Sequence, residues 1–408
     1  MRKIRILVAV GLLLVLLCNT GCGAGNDFNA RLNTVVSPYR FSIARWEFNT
    51  WFTQFKQLFG KHAKITGTDT EITDHYIALS NQINDLKSSI NDANRTTVQA
   101  QIDTLQQQQN SITGTVENII KRQTAQVLKE MGIYEPWYKY IKWKFTFPPP
   151  EFKLQTPPQL LVISPREKIE RQKDVLLAEN LSAADATSIE DNVDKLNVSA
   201  LVVGLGGIAT YPDIVASDSD FQYIIQTCAH EWAHAYLAFT TLGFRYVLNI
   251  AGLTHNTDIT TMNETVADII GKEVGATVLK KYYPRFQTDT RTAPTVSQTT
   301  VTPPAFDFNK EMRAVRVQVD AYLAAGQIDI AEQYMQQKRD FFNANGYYIR
   351  KLNQAYFAFY GTYADSPGYE NPIGTKITQL RAKEVSLQKF LNTVSGMTGV
   401  KNLDAALK

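Results

Sequence analysis

The sequence predicts a mainly α-helical chain with a small mixed β-sheet, an α+β class. Two patterns predict it. Apolar residues recur at three- and four-residue steps over long stretches on either side of the middle of the chain, and two short β-branched runs stand together between prolines and glycines. Composition supports a folded protein, because 44% hydrophobic and 20% charged residues in 408 can fill a large core. A net charge of only +3, carried by scattered Lys and Arg, excludes nucleic acid as the expected partner.

Arg2, Lys3 and Arg5 precede an apolar run from Ile6 to Leu17, followed by "CNTGC" and the polar "GAGND". This reads as a secretory signal over residues 1–22, since the run is shorter than the roughly 20 residues a membrane span needs. Thr20-Gly21-Cys22 looks like the end of a bacterial lipobox, although Asn19 stands where an aliphatic residue is usual. The expected location is therefore the bacterial cell envelope, lipid-anchored through Cys22 and facing outward. A secreted form or a single uncleaved N-terminal anchor is the alternative. With Cys18 and Cys22 used in this way Cys228 is left alone, so no intramolecular disulfide forms. Two residues before a histidine on an apolar helix, it reads as a small buried core residue.

Residues 27–135 form an N-terminal helical region. In it "GAGNDFNARLN" is expected to be a tether and "SPYRFSIARWEFNTWFTQFKQLFG" an amphipathic helix ending at Gly60. From Asp69 to Met131 the apolar spacing predicts an antiparallel helical hairpin, partly coiled coil, turning near Asn91 to Arg95. Residues 155–283 form the mixed central unit. "QLLVIS" (Gln159 to Ser164) reads as a strand, "REKIERQKDVLLAENL" as helix-like, and "SALVVGLGGIATYP" (Ser199 to Pro212) as a second strand bending at its glycines, with the histidine-bearing helix packed over the sheet. Residues 284–308, rich in Thr, Pro, Gln and Ser, are a linker. Residues 309–408 are helical, with breaks at Gly326, Asn345-Gly346 and "ADSPGYENPIG".

Two of the five histidines, His230 and His234, lie in "QTCAHEWAHAYLAF" with Glu231 between them. Four residues apart on a helix they share a face and can aim two imidazoles at one point, a geometry that suits a single Zn²⁺. A glutamate beside such an ion can take a proton from its water. Catalytic zinc needs a third protein ligand and an open position. No histidine follows closely enough for the metzincin layout, which leaves His255 in "LTHNTD" and Glu264 in "TMNETVADIIGKEVG". Glu264 is preferred. Thr261 or Asn263 can open its helix, and Ala267, Asp268, Gly271 and Gly275 share its face, so that two helices can approach closely. Asp268 is then placed to accept the free N–H of a ligand histidine, with His230 the expected donor.

His230-Glu231-Trp232-Ala233-His234 followed by Asn263-Glu264-Thr265-Val266-Ala267-Asp268 resembles the gluzincin metallopeptidases, over roughly residues 199 to 280. The resemblance implies a zincin-like catalytic core in which His230, His234 and Glu264 bind zinc, Glu231 is the general base and Asp268 supports a ligand. It also implies an edge strand for the substrate backbone, for which Gly206, Gly207 and Ala209 are the local candidates. The chain departs from the best-known groups in spacing: 29 residues separate His234 from Glu264. The expected function is zinc-dependent hydrolysis of peptide bonds in a peptide or protein substrate. A non-catalytic membrane-associated scaffold with a structural zinc, and a zinc hydrolase of non-peptide amides, are the alternatives. The oxyanion of the transition state needs a donor. Tyr356 and Tyr360, on one face of "YYIRKLNQAYFAFYGTY", and His255 are the candidates.

Overall fold

Helices dominate the structure, with two three-stranded sheets between them, an α+β architecture. The computed structural model describes residues 27–43, 45–47, 50, 67–90, 94–137, 142, 144–254, 256–288, 306–361 and 372–408. The signal segment with Cys22, most of the aromatic helix expected before Gly60, His255 and most of the linker lie outside these residues.

The folded body starts earlier than the tether reading expected. Helix α1 (Asp27–Val36) buries Leu32 and Val36 completely against one face of a sheet, four residues apart on one side of the helix. The hairpin is formed by α2 (Asp69–Ser89) and α3 (Arg95–Glu130), and Thr68 and Glu71 close a capping box at its start. The tip has its own small cluster of Ile83, Val98 and Ile102, whereas Tyr76, Val116, Ile119 and Ile120 join the main core. The hairpin thus rests its base on the core that also holds residues 221–237 and 257–282.

The strands are β1 (Phe152–Leu154), β2 (Gln159–Pro165), β3 (Lys173–Leu177), β4 (Val198–Gly204), β5 (Gly207–Ile208) and β6 (Asp213–Val215), with α4 (Ala183–Asp194) between β3 and β4. One sheet, in the order β3-β2-β4, is antiparallel throughout, pairing Leu161 with both Val175 and Val202. The other, in the order β1-β6-β5, is mixed: β1 runs parallel to β6, and β5 antiparallel at the edge. Two expectations are corrected here. The stretch read as helix-like contains β3, because Val175 and Leu177 alternate onto a buried face and pairing with β2 outweighs local helix preference. The run from Ser199 to Pro212 is not one strand but two, β4 and β5, in different sheets, parted at Leu205-Gly206.

Helices α5 (Phe221–Leu237), α6 (Thr241–Ile250) and α7 (Thr257–Tyr282) follow. α5 packs against the mixed sheet rather than the antiparallel one, and lies along α7. Small residues allow that approach: a Cβ on Gly271 would come 2.9 Å from the Gln226 carbonyl and 3.1 Å from His230 Cβ, and one on Gly275 would come 2.8 Å from Gln226 Cγ. On the opposite side of α5, Trp232 is buried and its Nε1 donates to the Pro148 carbonyl at 2.8 Å. Cys228 is buried in the same core.

The C-terminal helices divide among three places. α8 (Phe308–Ala324) and α9 (Ile328–Ala344) form a hairpin with its own core, broken at Gly326 and ended near Gly346, both at positive φ. α10 (Gln354–Tyr360) covers the face of the antiparallel sheet opposite α1 and α4. α11 (Pro372–Lys383), α12 (Leu387–Ser395) and α13 (Val400–Leu407) close the main core around α7, to which the paired bonds of Arg381 to Glu273 at 2.7 and 2.8 Å tie α11.

Candidate metal centre

Asp220 caps α5 by accepting from the Tyr223 N–H, and the helix then carries Tyr223, Thr227, His230, Glu231 and His234 toward α7 and the edge of the mixed sheet. Helix α7 begins earlier than expected. Asn256, rather than Thr261 or Asn263, is its cap, which puts Glu264 well inside a rigid, buried helix instead of in its first turn.

Three atoms converge between the two helices. His230 Nε2 lies 3.1 Å from His234 Nε2, and Glu264 Oε2 lies 3.7 Å and 3.6 Å from those nitrogens. In the plane of the three atoms, the point equidistant from them is about 2.0 Å from each, the length of a Zn–N or Zn–O bond. Two imidazoles and a carboxylate at that spacing fit a borderline cation such as Zn²⁺. This is the one group of three or more potential ligand side chains found among the described residues.

The outer nitrogens are held as well. His230 Nδ1 lies 3.0 Å from Asp268 Oδ1, and His234 Nδ1 lies 2.6 Å from Asn263 Oδ1. Each contact sets the tautomer that leaves a lone pair on the inward Nε2. Asn263 is fully buried, and its Nδ2 finds no acceptor among the described residues, so the side chain is committed to His234. The site attracts positive charge. Burial raises Glu264, but the facing histidines outweigh it and hold the carboxyl well below its usual range. Burial lowers His230, but its bonds to Asp268 and Glu264 carry it well above the usual histidine value. Asp268→Asn is expected to weaken zinc binding about 10–100-fold with the fold intact. Chelator competition checks this, and unchanged affinity would reduce Asp268 to an ordinary carboxylate.

Glu231 is buried, and burial raises its carboxyl above the ordinary range against the pull of the two histidines. It faces the edge strand: a Cβ on Gly207 would lie 2.5 Å from Glu231 Oε1, and one on Gly206 would lie 2.1 Å from the Tyr223 hydroxyl. Gly206 and Gly207 are half-buried, while Ala209 is exposed just beyond β5. Behind the site Asp213 is buried, its carboxyl raised by burial and then by the charge of Glu231.

Of the sequence-derived candidates, the structure brings together His230, Glu231, His234, Glu264, Asp268, Gly206 and Gly207. Tyr356 is held elsewhere, on the antiparallel sheet among Leu160, Val162, Leu201 and Val203. Tyr360 packs beside it, ring centroids 4.5 Å apart, and reaches the electrostatic neighbourhood of Tyr223 and Arg350. Tyr223 itself senses His230, Glu231 and Asp268. Sequence reasoning missed Tyr223, Asn263 and Tyr246. The first could have been found from its helical spacing, four residues before Thr227 and seven before His230. Asn263 was in view as a cap and as the first residue of the second motif, with no role assigned to it at the histidines. Tyr246, on α6, donates from its hydroxyl to Glu264 Oε1 at 2.6 Å, a contact between separate helices that no local pattern announces.

No protein-family model, curated protein or solved structure matches the chain.

Proposed function

We propose that this protein is a zinc-dependent peptidase of gluzincin type, acting in the bacterial cell envelope. The convergence of His230, His234 and Glu264 at metal-bond spacing, with the buried Glu231 beside them, carries the reading. In it the three side chains hold the ion, and Asp268 and Asn263 orient the histidines. Zinc, when bound, supplies Lewis acidity toward a water and a substrate carbonyl. Glu231 takes the proton from the attacking water and delivers it to the leaving amine. A structural site needs no such base, which favours catalysis over a scaffold.

The edge position of β5 suits an extended substrate. Backbone groups from Gly207 to Ala209 can pair with a peptide lying along the edge. The close approach of Gly207 to Glu231 brings that peptide to the base. Tyr223, 42% exposed and beside Gly206, replaces Tyr356 as the hydroxyl best placed to touch it. Localisation rests on the basic N-terminus, the apolar run and Cys22, which we read as a lipid-anchoring signal.

Incubation of purified protein with a peptide library, followed by mass spectrometry of the products, tests the proposal. Cleavage that stops on chelation and returns with Zn²⁺ is expected. A zinc-loaded protein that leaves every peptide intact but hydrolyses small non-peptide amides would transfer the chemistry to another substrate class, and protein that retains no zinc at all would end the reading.

A further inference from the structure

The long connection between His234 and Glu264 contains α6, and α6 sends one side chain back into the cluster. The Tyr246 hydroxyl donates to Glu264 Oε1 at 2.6 Å, and its ring stacks on His234 with centroids 5.3 Å apart and planes 15° from parallel. Helix α6 is fixed at both ends. The Thr240 hydroxyl accepts from the Gly243 N–H at 3.3 Å, and Asn249 Nδ2 donates to the Asn256 carbonyl at 2.7 Å, joining α6 to the start of α7.

Glu264 is thereby divided. Oε2 faces both imidazole nitrogens at 3.7 and 3.6 Å, while Oε1 is taken by the phenol. We propose that Tyr246 is a positioning residue that restricts Glu264 to ligation through one oxygen and so keeps a coordination position open for water. The inference rests on the metallohydrolase reading above. A carboxylate can bind a cation through one oxygen or through both. Two-oxygen binding would use the position that a catalytic zinc leaves open. The Tyr246 bond opposes it by satisfying Oε1, which is buried with its side chain only 5% exposed and would otherwise be left without a donor. Stacking on His234 keeps the phenol in place. The long connection of the motif has room for the ten-residue helix that delivers this hydroxyl.

The test uses the full chain and two readouts besides activity. Tyr246→Phe keeps the ring on His234 and removes only the hydroxyl. In the Co²⁺-loaded variant the visible d–d bands are expected to shift as the second carboxylate oxygen takes the position otherwise left to water, with the melting temperature little changed. Zinc affinity by chelator competition is expected to shift as well, within the roughly 10–100-fold range of ligand-supporting contacts. Bands identical to wild type would overturn the proposal, even if the affinity fell. X-ray absorption on the zinc-loaded wild type is the second measurement and needs no variant: two carboxylate oxygens at bonding distance would overturn it too. Wild type that binds neither ion would instead remove the metal reading on which the proposal stands.

Discussion

Glu231→Gln is expected to lower peptide hydrolysis by about 10²–10⁴-fold while zinc stays bound, the range lost when a positioned acid–base group is removed. The substitution keeps the size of the side chain and takes away its ability to accept a proton. None of the three converging ligand atoms belongs to Glu231, so the metal content should stay at the wild-type level. The two measurements must therefore separate: turnover collapses and metal analysis does not change. Full turnover in the glutamine variant would sink the general-base role, because no other described carboxylate is in a comparable position. Asp213 is buried behind the site, and Asp268 and Glu264 are occupied by the histidines.

The second large effect is expected at a residue with no side chain. In Gly207→Ala the new methyl would lie 2.5 Å from Glu231 Oε1 and 2.8 Å from Thr227 Cγ2, closer than such atoms can stand. Either the edge strand or the base must move by a few tenths of an ångström to an ångström, and misplacement on that scale can cost about 10²-fold in rate. Zinc affinity is expected to hold, because the atoms nearest the added methyl belong to Glu231 and Thr227. Gly204→Ala is the control: nothing lies within 4 Å of its added carbon, and both turnover and metal binding should be unaffected. Equal activity in the two variants would show that the edge strand is not pressed against the base in solution.

Periodicity made the helices legible. The hairpin from Asp69 to Glu130 and the C-terminal breaks at Gly326 and Gly346 could be read because spacing of three and four residues, and glycine at positive φ, are local properties of a chain. The pairing of His230 with His234 was legible for the same reason: one helical turn fixes their relation whatever surrounds it. The small face of α7 was too, since Gly271 and Gly275 share a side with Glu264. Elsewhere the tertiary structure decided. Strand β3 forms because β2 offers it a partner and a buried face, and no propensity within residues 166–181 carries that information. The break between β4 and β5 depends on two sheets competing for neighbouring stretches of one run. Asn263 became a partner of His234 only once α7 was seen to begin at Thr257, which turned an expected cap into a buried interior residue. Tyr246 lies 18 residues before the carboxylate it holds, and the contact exists because α6 packs against both α5 and α7. Sequence alone determined which side chains could bind a cation, because ligand chemistry and helical pitch are intrinsic. Which groups hold those side chains, and which strand edge reaches Glu231, came from packing between elements, where the energy depends on distances that no single segment specifies.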